Sequence, residues 1–271
     1  MTRLILTRLI FTLLFAFVAM SCSFLSAQEV PEGFTALFDG KTLDGWEQKN
    51  GSASFEVLDG TIQGTTAEGS PNSFLCTSKE YADFELHFEA LVAPALNSGV
   101  QVRSQSKADY KDGRVHGPQV EIAETGFAGY VFSEGTGRKW ISKQRQKHEH
   151  LKSGQWNKFR VVAQGKHVTT WINGAEIGQT EIPEVEPTSG FIGLQVHSIR
   201  KGSGPFHVQW RNVVIKELVA EESEEGQPTE TTEGSGSKGS RSKGSRSKGS
   251  RSKGSRSKGS RSKGSLSLIH I

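Results

Sequence analysis

Residues 167–179 have the sequence HVTTWINGAEIGQ, in which two short runs meet at Asn173-Gly174. Both residues of this dipeptide tolerate the positive φ that a type I′ turn requires at its two central positions. The sequence therefore predicts a β-hairpin, with one strand over residues 167–172 and the other over residues 175–179.

The same character extends in both directions from this hairpin. Between Phe34 and Leu218, turn signals recur every 8 to 15 residues and apolar residues alternate with a period of two. This pattern is typical of strands, and no credible helix interrupts it. Further strands are predicted over residues 54–58, 61–64, 73–78, 84–92, 99–104, 118–123, 128–133, 158–164, 190–197 and 205–217. So many short strands predict an all-β fold of two packed sheets over residues 32–219, with a barrel as the main competitor of the β-sandwich.

The N-terminal residues have the composition of an export signal. Arg3 and Arg8 precede an apolar run over residues 9–18, and small residues lead to Ala27. Residues 1–27 are therefore predicted to be removed, which would place the chain in the periplasm or outside the cell. Attachment of lipid at Cys22 is an alternative. A membrane-spanning helix has less support, because the run is shorter than the roughly 20 residues that it requires.

The C-terminal residues carry charge rather than apolar side chains. Residues 220–236 form an acidic linker, and the pentapeptide SKGSR recurs five times within residues 237–265. Without apolar residues this tail is predicted to stay disordered. It is either a repeat expansion without function or a tether to polyanions. Removing its 11 basic residues, Arg3 and Arg8 leaves 20 basic against 29 acidic residues, a net −9, so the domain has no basic surface for nucleic acid.

Three predicted strands pair an apolar face with an unusual polar face. The sequences are NSGVQVR at residues 97–103, QVEI at 119–122 and LQVH at 194–197. Because side chains alternate along a strand, the amide, carboxylate, guanidinium and imidazole groups should lie opposite the valines and other apolar residues. Such groups suit hydrogen bonding to a neutral, hydroxylated ligand such as a sugar better than they suit a merely solvated surface.

The order of several motifs resembles the 3-keto-disaccharide hydrolase domain family over almost all of residues 33–218. These motifs are GFTALFDGKTLDGW at 33–46, NSGVQVR at 97–103, WN at 156–157, WING at 171–174, GLQVH at 193–197 and WRNVVIKEL at 210–218. The resemblance implies a concanavalin A-like jelly-roll sandwich in an exported protein. It also implies action on glycosides that already carry a ketone at C3 of the sugar.

The resemblance implies an elimination followed by hydration, and it indicates which residues would act. A C3 ketone acidifies the C2 proton, so one base can remove that proton while the glycosidic oxygen leaves C1. The expected catalytic residues are Glu121 as base, Arg103 as donor to the C3 oxygen and His197 as acid. The expected substrate-binding residues are Asn97, Gln119, Gln195 and Trp140. Typical members read E-x-Q-I where this chain reads QVEI, so which of Gln119 and Glu121 meets C2 stays open.

Two other functions compete with this interpretation. A retaining endoglucanase would need a carboxylate at the first position of residues 119–124, where this chain has Gln119. A carbohydrate-binding module without turnover could use Trp46, Trp140 or Trp171 for stacking on a sugar.

His148 and His150 lack an evident third ligand, so no metal site is predicted, and a requirement for a divalent cation stays open. Cys76 is expected to be a small buried residue.

Overall fold

The computed structural model describes residues 30–94 and 96–219, and the predicted export signal and repeat tail lie outside them. The described residues contain strands and no helix. The strands are β1 (Thr35–Ala36), β2 (Trp46–Lys49), β3 (Ser54–Leu58), β4 (Thr61–Thr65), β5 (Ser73–Thr77), β6 (Phe84–Val92), β7 (Ser98–Ser104), β8 (Gly117–Ile122), β9 (Val131–Glu134), β10 (Lys139–Trp140), β11 (Asn157–Gln164), β12 (His167–Ile172), β13 (Ala175–Glu181), β14 (Phe191–Val196) and β15 (His207–Glu217).

The strands form two antiparallel sheets that pack into a jelly-roll sandwich, which confirms the predicted fold class. One sheet has eight strands in the order β13-β12-β11-β6-β15-β4-β3, with β1 also paired with β15. The other has seven strands in the order β10-β9-β8-β7-β14-β5-β2. The strands with the unusual polar residues, β7, β8 and β14, are adjacent at the centre of this seven-stranded sheet.

The core lies between the sheets because each strand turns its alternating apolar residues inward. On β6, for example, Phe84, Leu86 and Phe88 are buried, while the residues between them are partly exposed. Phe88 stacks on Phe159 of β11, with ring centroids 4.9 Å apart. From the seven-stranded sheet the valines and leucine of β7, β8 and β14 join the same cluster. This packing leaves the opposite face of β7, β8 and β14 for the polar side chains.

The hairpin at Asn173-Gly174 is confirmed. Both residues have positive φ, 52° and 86°, as the turn requires. Three short strands, β1, β2 and β10, were not predicted. β1 has only two residues and pairs with β15 alone. β2 and β10 lie at the edges of the seven-stranded sheet and pair along one side only, so their sequences, WEQK and KW, need no apolar alternation.

Candidate functional site

Two cross-strand rows of side chains cover the outer face of the seven-stranded sheet. The backbone register places residues side by side in the first row in the order Trp140, Phe132, Gln119, Gln101, Gly193, Cys76 and Glu47. The second row has the order Glu121, Gly99, Gln195, Phe74 and Lys49. Directly opposed residues share a face. The sheet therefore gathers amides, a carboxylate and aromatic rings from seven strands on one surface.

A chain of hydrogen bonds joins the central members of these rows. The Ser104 hydroxyl donates to the Gln101 amide oxygen at 2.6 Å, and the Gln101 amide nitrogen donates to Gln119 Oε1 at 2.5 Å. Gln119 Nε2 then donates to Glu121 Oε2 at 3.1 Å, and Asn97 Nδ2 donates to Glu121 Oε1. Three of the predicted residues, Asn97, Gln119 and Glu121, are thus brought together, and the amide donors hold the Glu121 carboxylate in place.

Gly99 makes this arrangement sterically possible. A Cβ atom at Gly99 would lie 2.4 Å from Gln119 Cδ, so the side chain of Gln119 occupies the space above the glycine. This position directs the Gln119 amide toward the second row, where Glu121 lies. The glycine in the NSG motif is therefore required for packing of the site rather than for a turn.

Gln195 differs from the other amides of the face. Its side chain is fully buried, yet neither Nε2 nor Oε1 has a hydrogen-bond partner. Its register neighbours are Gly99 and Phe74, which offer no side-chain polar group. An unpaired buried amide costs about 1–3 kcal/mol of folding free energy. Gln195 is therefore a buried amide of this face whose side-chain groups have no hydrogen-bond partner among the described residues.

His197 continues the face beyond the end of β14. It lies two residues after Gln195, is partly buried, and its Nδ1 contacts the Ser198 carbonyl oxygen at 2.8 Å. That contact is consistent with a proton on Nδ1, which leaves Nε2 as the ring atom for another partner. The next residue, Ser198, donates its backbone N–H to Asn72 Oδ1 at 2.9 Å.

Arg103 does not lie with the glutamines, and the sequence-based placement of its side chain is wrong. The pairing of β14 with β7 shifts register between Phe191 and Gly193, and Arg103 has a φ of 55°. Such a bulge interrupts the alternation of side chains along a strand. The guanidinium instead donates to the carbonyl oxygens of Ala82 and Gly165 and to Asp83 at 2.7 Å.

The surroundings of Arg103 indicate a structural role. Its side chain is 1% exposed, and burial lowers the pKa of its guanidinium while the charge of Asp83 opposes that change. Asp83 lies just before β6, and Gly165 lies between β11 and β12. These strands belong to the eight-stranded sheet, so the guanidinium of Arg103, on β7 of the seven-stranded sheet, donates hydrogen bonds to loops of the other sheet. Arg103 therefore ties the two sheets together.

Trp140 lies in the first row but at its outer end. Its ring packs edge-on against Phe132, with centroids 5.4 Å apart, and Arg145 lies over it at 4.7 Å. Phe132 separates Trp140 from Gln119 in the register. The structure thus places an aromatic edge beside the amides, an arrangement that suits the apolar face of a sugar ring.

The site also contains residues that the sequence analysis did not select. Gln101 and Ser104 complete the hydrogen-bonded chain; alternation along residues 97–103 indicated Gln101, whereas it placed Ser104 on the other face. Glu134, at the end of β9, is 8% exposed and accepts a hydrogen bond from Asn72 Nδ2 at 3.3 Å. No local pattern indicated Glu134, because its partner lies 62 residues away in the sequence.

The connection between β7 and β8, residues 105–116, folds back over part of this face. Val115 packs with Phe74, Cys76 and Phe191 in a second apolar cluster. The Asn50 amide holds the connection by donating to the Gly113 carbonyl oxygen and accepting from the Val115 N–H, at 3.1 and 2.7 Å. Cys76 is buried there as predicted, and burial raises the pKa of its thiol.

A cavity of about 400 Å³ lies at the end of the sandwich. It begins at Ala123, two residues after Glu121, and His148 and Leu151 line its other side. Burial lowers the pKa of His148, and its Nε2 contacts the Ala128 carbonyl oxygen at 2.9 Å.

Within residues 30–94 and 96–219, no three His, Cys, Asp or Glu side chains lie close enough together to hold a metal ion. The same residues include no helix that could cross a membrane.

The fold resembles those of several solved structures. A Parabacteroides distasonis ATCC 8503 protein, provisionally described as a glycosyl hydrolase, is 22% identical, with a TM-score of 0.54, covering 72% of this chain and 100% of its own. The carbohydrate-binding module CBM66 from Bacillus subtilis is 16% identical, with a TM-score of 0.48, covering 64% and 96%. A Bacillus subtilis protein of unknown function with a galectin-like fold is 12% identical, with a TM-score of 0.49, covering 66% and 91%.

The fold and the polar face together define the class of protein, a jelly-roll β-sandwich with buried polar side chains on the outer face of one sheet. Residues 33–216 match the family described as the 3-keto-alpha-glucoside-1,2-lyase-like domain. The chain belongs to this family, which confirms the resemblance that its motifs indicated. No curated protein matches the sequence.

Proposed function

We propose that this protein cleaves 3-keto-glycosides by removing the C2 proton, eliminating the group at C1 and adding water. Family membership and the composition of the polar face support the proposal. The chemistry needs one base, a donor to the C3 oxygen and a proton source for the leaving group. It does not need the pair of carboxylates that a conventional glycosidase uses.

Glu121 is the proposed base. Its carboxylate accepts hydrogen bonds from Asn97 and Gln119, which fix its orientation. Both donors are uncharged amides, and their N–H groups orient the carboxylate. A base on C2 must be held within hydrogen-bond reach of that proton. Glu121 meets the requirement for a fixed carboxylate on this face, whereas Gln119 has no basic group.

Gln195 takes the role of donor to the C3 oxygen, for which the sequence suggested Arg103. The guanidinium of Arg103 is engaged by Ala82, Asp83 and Gly165. The Gln195 amide is buried and unpaired, and its neighbour in register is Gly99, over which the Gln119 side chain lies. A buried N–H donor can stabilise the charge that develops on the enolate oxygen. His197, two residues farther along, remains a proposed acid.

The observation that carries this proposal is the unpaired Gln195 amide beside the oriented Glu121 carboxylate. An unpaired buried amide is unusual, since buried polar groups are normally paired. We also propose that the chain acts outside the cytoplasm, on the basis of residues 1–27, and that its partner is a carbohydrate.

The decisive experiment offers the purified protein a 3-keto disaccharide and the matching unoxidised disaccharide. We expect product from the 3-keto sugar alone. Glu121→Gln should lower its turnover about 10²- to 10⁴-fold, because the amide keeps the shape and removes the basicity. Glu89→Gln is the matched control, since Glu89 lies on β6 in the other sheet, and its activity should stay near that of the wild type.

Binding of the unoxidised disaccharide without turnover of the 3-keto sugar would contradict the proposal and favour a carbohydrate-binding module. Each reaction should be run with and without a chelator. A loss of turnover in the chelator would reveal a requirement for a divalent cation.

A further inference from the structure

Glu134 occupies an unexpected position for a residue of β9. Its carboxylate accepts a hydrogen bond from the side chain of Asn72, which lies just before β5. In the sheet, however, three strands, β8, β7 and β14, separate β9 from β5. In a flat sheet four steps between strands would put the two residues about 19 Å apart. The 3.3 Å hydrogen bond therefore requires the sheet to curl until these two parts of its outer face meet.

The groups around Glu134 belong to the proposed active site. His197 and Arg114 are near enough for their charges to act on the Glu134 carboxyl group. His197 is two residues beyond Gln195, and Ser198 bonds the same Asn72 side chain that bonds Glu134. Glu134 thus approaches the end of β14 that carries Gln195, even though it starts from a distant strand.

We propose that Glu134, rather than His197, is the proton donor to the leaving group in the reaction proposed above, on which this inference rests. The residue is buried, with 8% of its surface exposed, and it and Glu121 are the two buried carboxylates that the described residues place on this face. Asn72 orients the carboxyl group from one side, and Arg114 and His197 lie near it.

The proton transfers balance in both halves of the reaction. Glu121 takes the C2 proton, the released electron pair forms the C1–C2 double bond, and the bond from C1 to the leaving oxygen breaks. The Glu134 carboxyl group gives its proton to that oxygen, and an alcohol departs. Water then bonds to C1, one of its protons goes to the Glu134 carboxylate, and C2 recovers a proton from Glu121. The sum is one 3-keto-glycoside and one water converted to a 3-keto sugar and an alcohol, with no oxidant or reductant.

The electrostatics of Glu134 agree with this role. Burial raises its pKa above the ordinary value of 4.5, while the Asn72 hydrogen bond and the charges of His197 and Arg114 act in the opposite direction. A raised pKa keeps the carboxyl group protonated to a higher pH than in a solvated glutamate. A proton donor must be protonated when substrate binds, so this environment favours the donor state over the basic state.

The test compares two 3-keto-glucosides that differ only in the leaving group. One releases 4-nitrophenol, which leaves as an anion without help, and the other releases methanol, which requires a proton. We expect Glu134→Gln to lower turnover of the methyl glycoside about 10²- to 10⁴-fold and that of the nitrophenyl glycoside less than about 10-fold. Glu186→Gln is the matched control, because Glu186 is also buried but bonds Ser133 and Arg138 instead.

Each outcome has a distinct meaning. An equal loss on both substrates would overturn the inference and make Glu134 a structural residue, and no loss on either would overturn it as well. If the wild-type protein turns over neither glycoside, the proposed function itself fails. If Glu134→Gln does not fold, the wild-type chain still decides the matter. A donor requires the methyl glycoside rate to fall as pH rises through the Glu134 pKa while the nitrophenyl rate does not.

Discussion

The outer faces of the two sheets are both polar, but they are built from different groups. On the eight-stranded sheet, Glu85 pairs with Arg160 at 2.5 Å and Glu89 pairs with Arg211 at 2.7 Å. The two arginines are 43% and 39% exposed, and each also lies over a tryptophan ring, at 4.2 and 4.1 Å. The seven-stranded sheet instead carries buried amides in a hydrogen-bonded chain.

This difference separates a solvated surface from a binding surface. Half-exposed ion pairs are satisfied by each other and by water, and such pairs add little to stability. Buried amides are shielded from water, so their hydrogen-bond partners must come from the protein or from a ligand. Gln195 finds none within the described residues. The proposed site therefore rests on this buried, unpaired amide among the residues of the outer face and not on polarity by itself.

The largest expected effect tests whether Arg103 belongs to the structure or to the site. Arg103→Met should lower the free energy of unfolding by about 3–5 kcal/mol, because it leaves the Asp83 charge and two carbonyl oxygens without their donor. Urea-induced unfolding followed by tryptophan fluorescence would measure this change. A variant as stable as the wild type, with turnover lost, would return Arg103 to the catalytic residues.

The second prediction concerns the space above Gly99. Gly99→Ala should displace the Gln119 side chain, since the new methyl carbon would lie 2.4 Å from Gln119 Cδ. We expect a loss of about 1–3 kcal/mol in thermal unfolding, as for other overpacked sites, together with lower turnover. Gly178→Ala is the control on β13, where the nearest atom would be 3.7 Å away, and it should change little. Equal effects of the two substitutions would contradict the packing of Gln119 over Gly99.

The third prediction has the opposite sign. Gln195→Leu should stabilise the free protein by about 1–3 kcal/mol, because it removes a buried amide without partners, and it should still abolish turnover. A rise in the melting temperature of about 2–10 °C would be expected for a domain of this size. Gln101→Leu provides the contrast: Gln101 bonds Ser104 and Gln119, so the same substitution should destabilise. If both substitutions destabilise equally, Gln195 has a partner in solution.

The smallest effect is expected on the face that carries ion pairs. Arg160→Met should cost less than about 1 kcal/mol, because the arginine is half-exposed and its pair with Glu85 is screened by water. Turnover of a 3-keto glycoside should not change. Arg160→Met and Arg103→Met make the same substitution on the two sheets. If Arg160→Met lowered the free energy of unfolding by several kcal/mol, the two faces would no longer differ in this respect.

Much of the fold could be predicted because its signals are local. The alternation on β6, β7 and β14 depends on each strand's own sequence, and the Asn173-Gly174 turn depends on two residues. The same alternation placed Asn97, Gln119 and Glu121 on one face, and their hydrogen bonds confirm that they meet. The position of Arg103 could not be predicted in this way, because one irregular pairing between β14 and β7 accompanies the reversal of its side chain.

The sequence by itself determined the two-layer fold, the family and the chemical groups available on β7, β8 and β14, since periodicity and motif order are properties of the chain. The tertiary structure decided which groups remain unpaired and which distant residues meet. Gln195 is unpaired because Gly99 and Phe74 happen to be its neighbours in the register. Glu134 meets Asn72 because the sheet curls, and curvature arises from the twist accumulated over many strands rather than from any one of them.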